Sequence, residues 1–430
     1  MQKENTHWIT IINKNVSPRQ KHMKYAHLAD LHLGSWREPK MRDLSTKAFL
    51  TAIDNCIKEQ VDFILFAGDI FNTSLPALDT LKIVTKKLKQ LQNHNIPLYT
   101  IAGSHDFSPS GKTMIDVLEY AGLLVNVCKG SIQPETKQLQ LSFTTDHKTG
   151  AKITGVLGRK GLLDKVYYQN LSLANLEQEK GYKIFLFHTA ISELMPSSMA
   201  LMETQPVSFL PKGFNYYAGG HIHCPRRLDF PEYGTLTYPG VLFPNSFSEL
   251  EEFGGGGYYL VTVYEPKTLQ QITFMPLQIL PRVSLILDCH HKTPESISRE
   301  LLEKINSGVR DSLVTIRLKG TIKKGRISDI DFRSAMEKLQ QHGAYLAMKN
   351  TTKLISPEFE EIQTSHSSPE LIEEQVIKEH LQQIKLFDSD VELYLIKSLL
   401  QSLNTAKKEG ETVPDFQQRL EEEMKKVLAL

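Results

Sequence analysis

Met23-Lys-Tyr-Ala-His-Leu-Ala-Asp-Leu-His-Leu-Gly34 sets the reading of the whole chain. Its first part, Tyr25 to Ala29, is short and mostly apolar, which predicts a strand, and it runs directly into a carboxylate and an imidazole at Asp30 and His32. The pattern then changes period. Between Asp43 and Gln60 the apolar residues Leu44, Ala48, Ile53 and Ile57 recur at helical spacing. Val61 to Ala67 (V-D-F-I-L-F-A) reads as a buried strand. Pro76 to His94 reads as a second helix with Pro76 suited to its first turn, and Pro97 to Ala102 as a third strand. Strand, helix, strand, helix, strand with short crossovers predicts an α/β layered architecture.

Further along, Lys183 to Phe187, Gly213 to Ala218, Thr235 to Tyr238 and Tyr258 to Val263 read as strands of a second sheet. The expected fold is two β-sheets packed face to face with helices outside, four layers in all. Gly254 to Gly257 is glycine-rich but lacks the following Lys-Ser/Thr and the opening of a helix, so it is a hairpin approach and not a phosphate loop. A smaller α/β unit follows: strand at Val283 to Leu287, helix at Pro294 to Ile305, strand at Ser312 to Lys319, helix at Ile330 to Gln341, strand at Ala344 to Met348. After the polar linker Ser365 to Pro369, a charged tail carries Leu371, Ile377, Leu381 and Ile384, then Phe416, Leu420, Met424 and Leu428, at helical spacing. This tail serves equally as a bundle covering itself or as a helix face for a partner's groove. The divisions are an N-terminal extension at 1–22, a main domain at 23–275, an α/β cap at 276–352 and a helical region at 366–430.

Composition bounds the function. Of 430 residues, 40% are hydrophobic and 23% charged, ordinary for a globular protein; with a net charge of +1, no global field draws the chain onto nucleic acid. Any nucleic-acid surface must be local or shared with a partner. Cys56, Cys128, Cys224 and Cys289 have no C-x-x-C spacing, which argues against a zinc ribbon or a disulfide framework and fits a reducing compartment. With no membrane-length apolar run and no signal-peptide core, a cytoplasmic protein is expected.

Five short motifs stand at or just after strand ends: Asp30-Leu-His32, Gly68-Asp69, Gly103-Ser-His-Asp106, His188 and Gly219-Gly-His-Ile-His223. Loops at the carboxyl ends of strands converge to make sites in layered α/β folds. A D-x-H at a strand end is expected to point both side chains one way, because the strand period is two, so one ion can take Asp30 with His32, and likewise His221 with His223. Asp69 stands where one carboxylate can bridge two ions. Mixed oxygen and nitrogen donors suit manganese, iron or zinc better than magnesium. Alone, a D-x-H is a capped turn, His188 a satisfied core histidine and His105-Asp106 a helix cap. Five in this order within one α/β region point to a metal site.

The ordered set resembles the calcineurin-like metallophosphoesterases, whose pattern is D-x-H, G-D, G-N-H-D/E, H and G-H-x-H, over about Met23 to Val263. Within that superfamily the chain is similar to the SbcD-type DNA repair exonucleases, through H-L-A-D-L-H-L-G, Asp106 closing the third motif, and Tyr238-Pro-Gly-Val, Ser246-Phe-Ser-Glu249 and Gly257-Tyr-Tyr-Leu-Val261. The resemblance implies Asp30, His32 and His223 around one ion, Asp69 bridging, and His188, His221 and residue 104 around the second. It implies His105 as the general acid, with Asp106 fixing its orientation. Ser104 stands where the family has Asn, a shorter and weaker ligand.

The function so implied is a two-metal phosphodiesterase with manganese as the leading ion, cutting DNA as an exonuclease and endonuclease in repair. The implied assembly is a homodimer with an SbcC-like ATPase at the C-terminal helices. Two other readings stand beside it: a phosphodiesterase on a small nucleotide-type substrate, and a scaffold with a weakened metal site. The protein phosphatases lack support, since Ile70-Phe-Asn-Thr73 follows Asp69 in place of their x-x-D-R-G.

Overall fold

The structure is a computed structural model that describes residues 22–108, 113–159, 163–195, 203–265, 269–356, 377, 388–408 and 411–428. The N-terminal extension up to residue 21, the linker Ser365 to Pro369, and Leu371, Leu381 and Ile384 lie outside the described residues. The chain divides into one unit at 1–357 and a second at 358–430.

In the first unit the chain runs β1 (His22–Leu28), α1 (Pro39–Lys58), β2 (Phe63–Ala67), α2 (Leu78–Asn93), β3 (Leu98–Ile101), α3 (Met114–Tyr120) and β4 (Val125–Asn126). A two-stranded ribbon, β5 (Gly130–Ile132) and β6 (Leu139–Leu141), leads into β7 (Thr144–Thr145) and β8 (Lys152–Gly155). Two short helices, α4 (Lys165–Gln169) and α5 (Ala174–Glu177), precede β9 (Lys183–His188), β10 (Tyr216–Gly220), β11 (Arg226–Asp229) and β12 (Thr235–Tyr238). Helix α6 (Phe247–Glu252), β13 (Gly256–Tyr264) and β14 (Leu269–Leu277) close this part.

One six-stranded sheet has the order β14-β13-β1-β2-β3-β4 and the other β11-β12-β10-β9-β8-β7. Strands β1 to β4 run parallel, as do β8, β9, β10 and β12. Residues buried on both faces explain why the central strands read as continuous apolar runs. Between the sheets lies a core that includes Tyr25, Phe63, Leu65, Ile101, Ile184, Leu186, Tyr216 and Val261. Helix α1 buries Leu44, Ala48, Phe49, Ala52 and Ile53 on the outer face of the first sheet.

Two expectations need correction. Tyr258 to Val263 does form a strand, but β13 lies in the first sheet, antiparallel to β1 with Tyr25 opposite Val261. Its apolar pattern announces burial and says nothing about which sheet supplies the partner. Pro76 lies just before the helix, because α2 begins at Leu78 with Ala77 as its cap residue. At Gly256 a Cβ would overlap the carbonyls of Val241 and Leu242, so the glycine run serves a close backbone approach.

The three-stranded cap, β15 (Arg282–Asp288), β16 (Leu313–Thr321) and β17 (Leu346–Ile355), is wholly parallel, with α7 (Pro294–Lys304) and α8 (Phe332–Gln341) as crossovers. Its own core includes Leu287, Ile297, Leu301, Val314, Ile316, Ala335 and Leu339. It shares the first unit with the two large sheets. The buried Arg317 of β16 pairs through Nε with both carboxylate oxygens of Glu251 at 3.0 Å, and its guanidinium lies 5.1 Å from the Phe247 ring centroid.

In the second unit, α9 (Ser389–Leu403) and α10 (Val413–Leu428) follow one another, and Arg419 pairs with Glu411 at 2.8 Å. No described helix is long and apolar enough to cross a membrane.

Candidate metal centre

The site lies where the loops after β1, β2, β3, β9 and β10 converge. The loop after β1 runs beside the loop after β2: Asp30 N–H donates to Gly68 O at 3.2 Å, His32 N–H to Asp69 O at 3.0 Å, and Leu33 N–H to Ile70 O at 3.1 Å. Asp30, His32, Asp69 and His221 all have left-handed backbone, with φ of +51°, +42°, +52° and +88°. This replaces the expected account of the two D-x-H-type spacings. Both strands end first, β1 at Leu28 and β10 at Gly220, so the strand pleat does not align the side chains; turns through positive φ do.

Those turns bring Asp30, His32 and His223 into one cluster and Asp30, Asp69 and His188 into another. His32 Nε2 lies 3.2 Å from His223 Nε2 and 3.6 Å from Asp69 Oδ2. Asp69 Oδ2 is also 3.2 Å from His188 Nε2, so this carboxylate stands between the two groups. His221 and His223 do not act as a pair. The His221 ring sits 5.3 Å from that of His188, while His223 turns toward Asp30, with 4.0 Å between Nε2 and Oδ1. Crowding sets limits on the backbone here: a Cβ on Gly103 would overlap the Asp69 carboxylate, and one on Gly68 would strike the His188 ring.

Each ligand-type residue is oriented by a neighbour. Asp30 accepts the His221 N–H on both oxygens, at 2.9 and 3.0 Å. His188 Nδ1 meets Ala67 O at 2.8 Å and so carries a hydrogen there, which turns Nε2 toward the site. That Nε2 is buried and faces Asp69 Oδ2, 3.2 Å away. A buried imidazole nitrogen among converging carboxylates and imidazoles fits a divalent ion. Ser104 Oγ donates to Asp69 Oδ2 at 3.4 Å, and His105 N–H donates to Asp69 Oδ1 at 2.7 Å.

His105 joins His32 and Asp69 in a third cluster, its ring edge-on to His32 at 4.8 Å. Its Nδ1 lies 2.8 Å from the Asn72 carbonyl. Asp106 plays a different part from the one expected of it. It accepts backbone N–H groups from Ile70, Phe71 and Gly103 at 3.2, 3.0 and 3.0 Å, bracing two loops together, while Asn72 O orients His105.

Glu249 is the residue that sequence reasoning missed. One oxygen accepts the Asn245 N–H at 2.8 Å and the other lies 2.9 Å from His223 Nδ1, fixing the tautomer that turns Nε2 inward. Its signal was present as Ser246-x-x-Glu249, the spacing of a helix cap, and Ser246 Oγ does accept the Glu249 N–H.

The electrostatics of the metal-free site are uneven. Burial pushes His32 and His221 down, to about 3 and about 4, so both stand neutral at pH 7. Burial also works to raise Asp69, but His188, His32 and the His105 N–H outweigh it and hold the carboxyl well below its ordinary range. His188 is raised to about 10, the charge of Asp69 overcoming the effect of burial. Asp30 is pushed up to about 6 by burial, with His188 and His223 opposing.

Residues 23–225 match the calcineurin-like phosphoesterase family. The chain is 23% identical over 352 residues to the DNA double-strand break repair protein Mre11 of Archaeoglobus fulgidus, covering 74% of this chain and 76% of that one. To the protein of that name from Methanococcus maripaludis it is 31% identical over 249 residues, 55% of this chain and 62% of the other. It is 26% identical over 253 residues to the uncharacterized metallophosphoesterase YhaO of Bacillus subtilis, 56% of this chain and 57% of that one.

Proposed function

Since the chain carries a calcineurin-like metallophosphoesterase domain at residues 23–225, we propose that it is a two-metal DNA nuclease of double-strand-break repair, acting as exonuclease and endonuclease in the cytoplasm. The observation that carries this reading is the convergence of Asp30, His32, His188 and His223 about the shared Asp69 carboxylate, with the His188 Nε2 turned toward it. Asp30, His32 and His223 would hold one ion, His188 and His221 with Ser104 the other, and Asp69 would serve both. Manganese is the ion we assign, with iron and zinc as the alternatives this donor set allows. When bound, the ions supply Lewis-acid activation of water and neutralise phosphoryl oxygens.

The chain's own groups do the rest. His105, its Nδ1 anchored on Asn72 O, presents its other nitrogen to the leaving oxygen and delivers the proton there. Asp106 holds the loops of Asp69 and His105 at a fixed separation through its three N–H contacts. Glu249 keeps His223 in the ligating tautomer.

The name of the Mre11 relatives supports DNA as the substrate. A homodimer is supported by α2 and α3 and the turn before them, where Leu75, Leu78 and Tyr120 are 79%, 81% and 94% exposed. Docking of an SbcC-like ATPase on the second unit is supported by Tyr394, Leu400 and Leu403, which α9 leaves open to solvent. The four unpaired cysteines suit a reducing compartment.

The test is manganese-dependent degradation of end-labelled duplex and single-stranded DNA, beside an aryl phosphodiester, for wild type and Asp69→Ala. Cleavage of DNA by wild type alone upholds the reading. Cleavage of the aryl ester with DNA untouched, even with the ATPase added, would replace it with a small-substrate phosphodiesterase.

A further inference from the structure

Arg159 is a cation that the two-metal chemistry leaves unused. It follows Gly158, whose Cα is pressed so close to His188 that a Cβ there would lie 2.6 Å from the ring. Its guanidinium carbon sits 4.5 Å from the ring centroid of Phe107, two residues beyond His105, and 6.0 Å from that of Tyr167. Nη1 donates to the Tyr167 hydroxyl at 3.2 Å, and Nε is shielded from water without a hydrogen-bond partner. Among the described residues no carboxylate forms an ion pair with it. Two aromatic rings and a phenol therefore hold a guanidinium plane in place, and part of its donor fork is unspent.

Half-buried and without an acid partner among the described residues, this guanidinium suits an anion from outside. The planar fork matches phosphate geometry, and the backbone next to Arg159 packs on His188 through Gly158. The surroundings say more about the ligand. Tyr167 and Phe107 are half-buried rings, and beside Tyr167 the apolar Leu163 and Val166 are more than half exposed. Such a rim suits the faces of unstacked bases and offers nothing to a paired duplex backbone.

We propose that Arg159, braced by Phe107 and Tyr167, binds the phosphate next to the scissile one in a strand whose bases are unpaired. This inference rests on the nuclease reading and narrows it. It makes a polynucleotide with a flanking phosphate, and not an isolated phosphodiester, the substrate the site is built for.

The experiment uses the full chain and a labelled single-stranded 12-mer, with binding followed by fluorescence anisotropy across a salt series and cleavage followed with manganese. For Arg159→Ala the expected result is about 10-fold weaker binding and a salt slope smaller by about 0.7, the signature of one lost phosphate contact on a single strand. The kcat/KM for the 12-mer falls with it, carried mainly by KM. Arg159→Lys keeps the slope and loses part of the affinity, because the charge remains and the fork does not. Phe107→Leu, which removes the brace and keeps apolar bulk, gives a smaller loss in the same direction.

An unchanged affinity and slope in Arg159→Ala, with wild type cutting DNA, overturns the inference alone. Equal losses on the 12-mer and on an aryl phosphodiester overturn it as well, by assigning Arg159 to the metal centre. A wild type that cleaves the aryl ester and neither binds nor cuts DNA overturns the nuclease reading and this inference together.

Discussion

His105 stands beside His32 and Asp69 while Glu249 stands behind His223, and their replacement has different expected outcomes. His105→Asn removes the proton donor and should lower kcat by about 100- to 10,000-fold with both ions retained; metal analysis alongside steady-state kinetics checks it. Loss of an ion in that variant would make His105 a ligand. Glu249→Gln leaves the proton chemistry intact and loosens His223, so manganese affinity should weaken by about 10- to 100-fold in equilibrium titrations. The pH dependence of metal binding follows from His188. Raised to about 10 in the metal-free protein, it carries a proton at neutral pH that an ion must displace. Manganese affinity should therefore tighten about 10-fold per pH unit from pH 7 upward and level off only above about pH 10; a flat profile in competition titrations would rule out that proton. By the same shift His188 stabilises the metal-free fold fully below about 6.5 and loses that contribution as pH rises through its raised value, while Asp69 contributes above about 3.9 and loses it as pH falls. The residues that we assign to the ions and to the acid stood out in the sequence because their chemistry is carried by residue type. Glu249 was hidden because its spacing doubles as a helix cap, and Asn72 because it acts through its carbonyl.

Helix α6 is only six residues long and touches two regions. Glu249 faces His223, Glu251 faces the cap's Arg317, and Phe247 lies under the same guanidinium. Arg317→Met leaves Glu251 as a poorly solvated charge without its partner and should cost roughly 3 kcal/mol. Adding Glu251→Leu should recover much of that loss, and a double-variant cycle by chemical denaturation measures the coupling. Additive losses would show that the ion pair contributes nothing of its own. The alternation of strands and helices from β1 to β3 was legible because each has its own apolar period. The sheet that receives β13 was not, since a strand buried on both faces carries no mark of its neighbour. The strand-period argument for Asp30 and His32 also failed, because residue spacing does not reveal where a strand stops.

For the molecule as a whole, the exposed apolar residues of the α2–α3 region set an assembly prediction. Leu78→Asp combined with Tyr120→Asp should convert the proposed dimer to monomer in light scattering, and a wild type that is itself monomeric would remove the dimer from the reading. The plan of two sheets with helices outside was legible because layer order follows from the sequence of elements, the placement of β13 apart. The cap's sharing of one unit with the main sheets was not, since it depends on pairs such as Arg317 with Glu251 that are 66 residues apart. The four left-handed residues of the metal centre carry a cost of their own, each about 1–2 kcal/mol relative to an ordinary conformation. The backbone contacts between the loop after β1 and the loop after β2 hold Asp30, His32 and Asp69 there. The ligand groups are thus set in place by folding, so the shape of the centre is written into the chain and not imposed by what enters it.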